Sequence, residues 1–201
     1  MKKLPVSFYQ RKDVLKIAKE LLGKVLVTRW NGILTSGRIV EVEAYNGIID
    51  KASHAFGGRR TNRNEIMYAD GGVAYVYLCY GIHHLFNVVT NNRETPHAIL
   101  IRAVEPATGI DEMLKRTGKK KLDNTLTKGP GNLSKALGIF TFHSGCSLQS
   151  KELFIAEDGF VYGKKEIRAS ARIGVDYAGN HALLAYRFYI KGNSFVSGKP
   201  K

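Results

Sequence analysis

The sequence predicts an α/β protein of the α+β type, with mainly antiparallel β-structure and helices at its margins. Three observations lead to this prediction. Segments rich in β-branched and aromatic residues outnumber segments with helical spacing, and an Asn31-Gly32 pair joins two of them as in a tight hairpin. The 201 residues, 44% of them hydrophobic, are also enough for the core of one domain, or of two small ones at most.

Two segments have the features of helices. Between residues 13 and 22, apolar residues recur at helical spacing, with Asp13 placed to cap the helix and Gly23 to end it. A shorter helix is predicted at 132–137, after a Gly-Pro-Gly turn at 129–131. Such a turn could hold a phosphate at the helix N-terminus, although a simple turn is the commoner structure.

Seven segments have the composition of β-strands. In chain order they are 24–30, 33–44, 73–79, 84–90, 98–104, 152–156 and 184–190. The basic stretch 115–128 is predicted to be an exposed loop, because it contains six lysines and arginines and only one aspartate.

The net charge of +14 predicts an acidic partner, and nucleic acid is the commonest one. An anionic membrane surface is the main alternative, but no apolar run is long enough to cross a bilayer. The N-terminus lacks the apolar core of a signal peptide. Two distant cysteines, with no CxxC pair, fit a reducing compartment. We therefore expect a cytoplasmic protein, at the nucleoid if the source is a bacterium.

The six histidines do not have the spacing of a metal site. His83 and His84 are neighbours, so on a strand they point to opposite faces and cannot chelate one ion together. His54 is far in sequence from other ligand types. We expect no metal.

Two carboxylates, Glu41 and Glu43, lie two residues apart on one predicted strand and so share a face. They could be ordinary surface charges. Alternatively, one of them lies in a cleft and acts as a general base on a water molecule. Periodicity does not say which one.

The loop at 57–63 combines two glycines with three arginines. Guanidinium groups bind phosphate with two parallel hydrogen bonds, and glycine lets the main chain come close. A loop that is merely positive explains the composition equally well.

Tyrosines are concentrated in the strand that follows. Tyr75 and Tyr77 share a face, which is typical of a β core. Tyr80 precedes Gly81 at a predicted hairpin tip, where a large ring is poorly placed to join a core. An aromatic ring at such a tip can wedge between base pairs.

Lysine is scarce around these groups, since Lys51 is the only lysine between residues 25 and 104. A Schiff-base mechanism needs an amine inside the site. Water is therefore the favoured nucleophile.

Together these residues resemble the 3-methyladenine (alkyladenine) DNA glycosylase family. The resemblance runs in one order from about residue 4 to 197. It is carried by GRIVEVEAY at 37–45, GGR at 57–59 with RN at 63–64, YVY at 75–77 with YG at 80–81, LIRAVEP at 100–106, GPGNLSKAL at 129–137, ARIGV at 171–175 and RFYI at 187–190.

The resemblance implies a single compact domain over residues 1–201 with a curved antiparallel sheet. It implies hydrolysis of the N-glycosidic bond of alkylated purines flipped out of double-stranded DNA, without metal or organic cofactor. We expect a monomer, since the sequence has no oligomer signature. By position, Glu43 would be the general base, and Arg102 with the main chain near Val175 would hold the water.

Further roles also follow from the resemblance. Tyr45, His54 and Tyr77 would line the base pocket, and Asn87 would select the purine edge. Tyr80 would fill the gap left in the duplex. The DNA backbone contacts do not come from the resemblance: we expect them from Arg59, Arg63 and His83, and at His83 the sequence departs from what is common in the family.

Two alternatives remain open. One is a non-catalytic nucleic-acid-binding module that uses its tyrosines as stacking platforms. The other is a glycosylase with lyase activity, which would act through Lys51.

Overall fold

A computed structural model describes residues 1–198 of the chain. The strands within this range are β1 (Lys2–Lys3), β2 (Val25–Trp30), β3 (Ile33–Tyr45), β4 (Ala74–Cys79), β5 (His83–Thr90), β6 (His97–Thr108), β7 (Leu153–Glu157), β8 (Ile167–Ser170) and β9 (Arg187–Ile190). The α-helices are α1 (Val6–Tyr9), α2 (Val14–Leu21), α3 (Ile110–Thr117) and α4 (Pro130–Leu137). Short 3₁₀ turns occur between them, the longest at Asp176–Leu183.

All nine of these strands belong to one antiparallel sheet, in the order β1-β7-β2-β3-β6-β5-β4. β9 pairs with β3, and β8 with β9. The predicted α+β class, with a mainly antiparallel sheet and peripheral helices, is confirmed. None of the helices within residues 1–198 is long and apolar enough to cross a membrane.

The 13-residue strand β3 organises the sheet. One edge pairs with β6, while the other pairs first with β2 and then, from Glu41 to Glu43, with β9. The register with β6 shifts on both sides of Glu41. Such an irregularity bends a strand, and here it coincides with the change of partner. As a result, Glu41 and Glu43 lie between two other strands, away from solvent.

The two faces of the sheet have different environments. Alternate residues of β3 to β6 on one face, such as Val42, Phe86 and Ile101, join the main hydrophobic core. Residues of α2 and α4 are part of the same core. The opposite face carries Tyr75 and Ala98 in a smaller cluster. The neighbouring side chains on this second face line the candidate site.

Helix α2 follows the prediction closely. Asp13 Oδ1 accepts a hydrogen bond of 2.9 Å from the main-chain N–H of Lys16, which caps the helix. Its apolar stripe, Val14, Ile17, Ala18 and Leu21, is buried. The chain turns at Gly23 with φ of 87° before β2 begins.

Two predictions along the chain need correction. The stretch 115–128 is not entirely loop, because α3 extends to Thr117 and a 3₁₀ turn covers Asn124–Leu126. The strand predicted at 184–190 begins only at Arg187, because the preceding 3₁₀ segment ends at Leu183. Strands β1 and β8 and helices α1 and α3 were not predicted.

Candidate active site

A cavity of about 630 Å³ opens on the second face of the sheet. Every second residue of three adjacent strands faces it, as the period of a strand requires. The strand residues that line it include Ala98, Leu100 and Arg102 from β6, Leu85 and Asn87 from β5, and Tyr75 and Tyr77 from β4. Tyr45, His54 and the segment 173–175 complete its inner wall, while Tyr80, His83 and the turn at 129–131 lie among its lining residues as well.

Glu43 is completely buried directly behind the wall of this cavity. Its Oε1 accepts the main-chain N–H of Ile173 at 2.8 Å, and its Oε2 accepts the Tyr45 hydroxyl at 2.9 Å. Arg102 Nη1 lies 3.3 Å from Oε2. All three partners line the cavity. One layer of side chains therefore separates this carboxylate from the cavity space.

Glu41 is also completely buried, but its partners are different. Arg187 Nε lies 2.6 Å from its Oε1, and Ser197 donates to it through both its main-chain N–H, at 2.7 Å, and its hydroxyl, at 2.9 Å. Arg102 Nε is 3.3 Å away. Glu41 thus belongs to a closed polar network. Of the two carboxylates that periodicity could not separate, Glu43 is the one bound to Tyr45 and Ile173 of the cavity wall.

Arg102 lies between these two carboxylates and is itself 7% exposed. Burial alone would lower the pKa of its guanidinium, but the charges of Glu43 and Glu41 outweigh that effect and raise the pKa above its ordinary value. Arg102 therefore keeps its positive charge beside Glu43 at any physiological pH.

The inner wall contains a cluster of aromatic rings. His54 Nδ1 lies 2.7 Å from the Tyr75 hydroxyl, and the His54 ring meets the Tyr77 ring edge to face at 4.7 Å. Tyr75 and Tyr77 are 5.4 Å apart between centroids. The cluster offers flat apolar surfaces with few charges, which suits a planar heterocycle.

Burial, followed by the charges of Arg63 and Arg59, lowers the pKa of His54 to about 4. Burial raises the pKa of Tyr75 to about 12. Both groups are therefore neutral at pH 7. Tyr75 was not among the predicted site residues, although its position two residues before Tyr77 placed it on the same face.

Asn87 faces the cavity from β5 and is 3% exposed. Its Nδ2 donates to the main-chain carbonyls of Tyr75, at 3.1 Å, and Leu85, at 3.2 Å. These two bonds fix the orientation of the amide. A fixed amide at the cavity wall can distinguish the hydrogen-bonding edges of a planar ligand.

Tyr80 lies at the tip of the β4–β5 hairpin and is 87% exposed. Its φ of 51° and the φ of 73° at Gly81 produce a tight turn, in which the N–H of Ile82 donates to the Cys79 carbonyl at 3.2 Å. Left-handed backbone is unfavourable for a tyrosine, so the turn holds this ring outward at some energetic cost.

The three residues expected at the DNA backbone occupy different positions. Arg63 lines the cavity, with its guanidinium 5.0 Å from the centre of the Tyr77 ring and a 3.3 Å bond to the Leu78 carbonyl. Arg59 is exposed and is not one of the lining residues. His83 lines the cavity and lies against Gly131, where an added Cβ would come within 2.7 Å of its Nδ1.

The segment that carries Ile173 and Val175 is held by a buried ion pair absent from the sequence predictions. Arg172 donates to Asp50 Oδ2 at 2.5 Å and Oδ1 at 2.8 Å. Its guanidinium also lies 4.8 Å from the centre of the Tyr45 ring. Asp50 and Arg172 therefore position two of the three partners of Glu43, Tyr45 and Ile173. The pairing is long-range, so no local pattern predicted it.

Lys128 and Tyr177 are among the lining residues for which no role in the cavity was predicted. Lys51, by contrast, is exposed and is not a lining residue. Within residues 1–198, no three His, Cys, Asp or Glu side chains form a group that could hold a metal ion.

Comparison with known proteins gives a consistent result. A sequence model of the family described as Methylpurine-DNA glycosylase (MPG) matches residues 7–194. Proteins named "Putative 3-methyladenine DNA glycosylase" are similar over almost the whole chain. One from Clostridium perfringens strain 13 is 44% identical over 96% of this chain and 98% of its own length. One from Bacillus cereus strain AH820 is 48% identical over 97% and 98%.

The family match covers β2 to β9, the loop at 57–63 and the segment at 173–175 that lines the cavity. The resemblance read from the sequence motifs is confirmed: the chain belongs to the methylpurine-DNA glycosylase family.

Proposed function

We propose that this chain is a monofunctional DNA glycosylase that hydrolyses the N-glycosidic bond of alkylated purines, including 3-methyladenine, in double-stranded DNA. It acts as a monomer and as one domain, without metal or cofactor. The observation that carries the proposal is the position of Glu43, buried and held by Arg102 directly behind a tyrosine-lined cavity. The cavity volume is within the range of sites for small planar ligands.

The damaged nucleotide leaves the duplex and enters the cavity. Extrusion costs a few kcal/mol, and less where the lesion already weakens pairing. Tyr80, exposed at the hairpin tip beside the cavity, is well placed to enter the gap and offset part of this cost. The high positive charge of the chain supports binding to the phosphate backbone.

Within the cavity, the base stacks against Tyr45 and Tyr77. Several N-alkylated purines are cationic, and a cation on an aromatic face gains about 0.5–2 kcal/mol. The pocket therefore favours electron-poor bases as well as bases of the right shape. Asn87, with its amide held by two main-chain carbonyls, tests the edge of the purine.

Glu43 activates the nucleophile. A carboxylate oxygen can accept two hydrogen bonds, and Oε1 of Glu43 accepts one, from Ile173. A water molecule binds at this oxygen after a small shift of the wall near Ile173 and Val175. As the bond from the sugar to the purine breaks, its electron pair leaves with the base. The water oxygen bonds to the sugar carbon, and its proton passes to Glu43.

The proposal is tested by incubating the protein with methylated duplex DNA and separating free bases by chromatography. Release of 3-methyladenine by the wild type, and its loss in Glu43→Gln with DNA binding retained, supports the enzyme. Binding without any release supports the stacking module instead.

Hydrolysis by water also excludes a covalent amine intermediate. Borohydride added during turnover should trap no protein–DNA adduct. If an adduct forms, Lys128→Ala and Lys51→Ala identify the amine, and monofunctional hydrolysis is wrong. Lys128 is the stronger candidate of the two, because it lines the cavity.

A further inference from the structure

We propose that Ser197 is a positioning residue for the active site, acting through Arg102 on Glu43. This inference rests on the proposed function of Glu43. Ser197 lies three residues beyond the part of the chain that the family model matches. The C-terminal segment would therefore complete a site whose other residues all lie within the family match.

Every polar group of Ser197 is bonded to a charged side chain. Its main-chain N–H donates to Glu41 Oε2 at 2.7 Å, and its carbonyl accepts from Arg187 Nη2 at 2.5 Å. Its hydroxyl donates to Glu41 Oε1 at 2.9 Å and accepts from Arg102 Nη2 at 3.2 Å. Ser197 is 7% exposed. A residue bonded in this way fixes the three charged groups relative to each other.

The hydroxyl contact bears directly on the reaction. Arg102 offers three different nitrogens to three partners: Nε to Glu41, Nη2 to Ser197 and Nη1 to Glu43. A planar guanidinium bound at two of its nitrogens has little freedom left at the third. Glu41 and Ser197 thus aim Nη1 at the carboxylate that activates water. Glu41 is also a positioning residue in this sense.

A second contact joins the same segment to the other side of Glu43. At Gly198, which has a φ of 70°, an added Cβ would come within 2.9 Å of the Ile173 side chain. Ile173 supplies the main-chain N–H that binds Glu43 Oε1. Residues 197 and 198 therefore contact Arg102 and the side chain of Ile173, two residues that hold the carboxylate.

Ser197→Ala tests the proposal, because it removes one hydroxyl and leaves the main-chain bonds of residue 197 in place. We expect the single-turnover rate of base release to fall about tenfold or more, since small displacements in an active site have effects of this size. The dissociation constant for lesion DNA should change less than twofold. Ser197→Thr keeps the hydroxyl and should restore the rate to within about threefold of wild type.

Ser194→Ala is the matched control. Ser194 is exposed, and its hydroxyl makes no hydrogen bond within the described residues, so its loss should change neither rate nor affinity. Rates are compared well below the unfolding temperature of each variant. A Ser197→Ala protein with the wild-type rate overturns the proposal. A fall in rate in Ser197→Thr as large as the fall in Ser197→Ala also overturns it.

A measurement that needs no activity separates this proposal from the proposed function. In NMR spectra, Ser197→Ala should shift the guanidinium signals of Arg102 and speed their exchange with solvent, while Ser194→Ala should not. If the wild type releases no base, the proposed function fails, and the NMR result alone then decides whether Ser197 holds Arg102. Unchanged Arg102 signals would refute that role.

Discussion

The hydroxyl of Tyr45 donates a hydrogen bond of 2.9 Å to the carboxylate of Glu43. The ring proposed to stack on the base is therefore bonded to the group proposed to activate water. Both residues lie on β3, two positions apart on one face. The distance between the stacking ring of Tyr45 and the carboxylate of Glu43 is therefore set by a single strand. This connection allows the two roles of Tyr45 to be separated experimentally.

Tyr45→Phe removes the hydroxyl and keeps the ring. We expect base release within about threefold of the wild-type rate, because stacking is retained. The unfolding free energy should fall by about 1–3 kcal/mol, since a buried carboxylate loses a donor. Single-turnover kinetics and urea unfolding measure the two effects. Tyr45→Leu, without a ring, should weaken lesion binding by about 1–3 kcal/mol. A loss of activity in Tyr45→Phe as severe as in Glu43→Gln would contradict this separation.

Tyr80→Gly removes the exposed ring and relieves the left-handed strain at this turn. The protein should be as stable as wild type or more so, yet excise lesions from duplex DNA much more slowly. Excision from single-stranded DNA should change little, because no gap needs filling there. Ile82→Ala, at the neighbouring exposed position, is the control. Equal losses on duplex and single strand would show that Tyr80 acts on the base and not on the gap.

Arg59 and Arg63 should differ in their effect on DNA binding. A phosphate contact by Arg59 predicts that Arg59→Met lowers the slope of log affinity against log salt by about 1. Arg63 lies over the Tyr77 ring in the cavity. Arg63→Met should therefore change the rate of base release and have less effect on the salt slope than Arg59→Met has. Fluorescence titrations at several salt concentrations give the slopes. Equal slope changes in both variants would mean that Arg63 leaves the cavity to bind phosphate.

The buried His54 should make stability depend on pH. The pKa of His54 is about 4 in the folded protein, against 6.5 for an unperturbed histidine. The unfolded chain therefore binds the extra proton between these values, so the unfolding free energy is fully present above pH 6.5 and is lost as the pH falls toward 4. The loss is up to about 3 kcal/mol. His54→Gln should lose correspondingly less stability over this range in urea titrations at each pH. Parallel curves for the two proteins would mean that His54 titrates normally.

Local patterns predicted the elements that local forces determine. The Asn31-Gly32 turn, with both residues at positive φ, joins β2 to β3 as expected. Helix α2 has the predicted cap and buried stripe. Helix α3 was missed because its surface is rich in charged residues, with only Met113 fully buried. Its ends at Gly109 and Gly118, both left-handed, were the signals that could have revealed it.

The site shows where local patterns stop being informative. Strand periodicity placed Glu41 and Glu43 on one face, and Arg102 does contact both. The two carboxylates differ in environment because Ser197 binds Glu41. Ser197 is 156 residues away from Glu41 in sequence. The Asp50–Arg172 pair spans 122 residues. Contacts of this kind depend on how the sheet and the C-terminal segment pack, and a single sequence carries no periodic trace of them.

Glu43 is proposed to activate the water that releases the base. The decisive measurement is the single-turnover rate of 3-methyladenine release from duplex DNA by Glu43→Gln, with affinity for the same DNA measured in parallel. General-base catalysis predicts a rate at least about 100-fold below wild type, with affinity nearly unchanged. A Glu43→Gln protein that binds lesion DNA and releases the base at close to the wild-type rate would show that Glu43 does not activate the water.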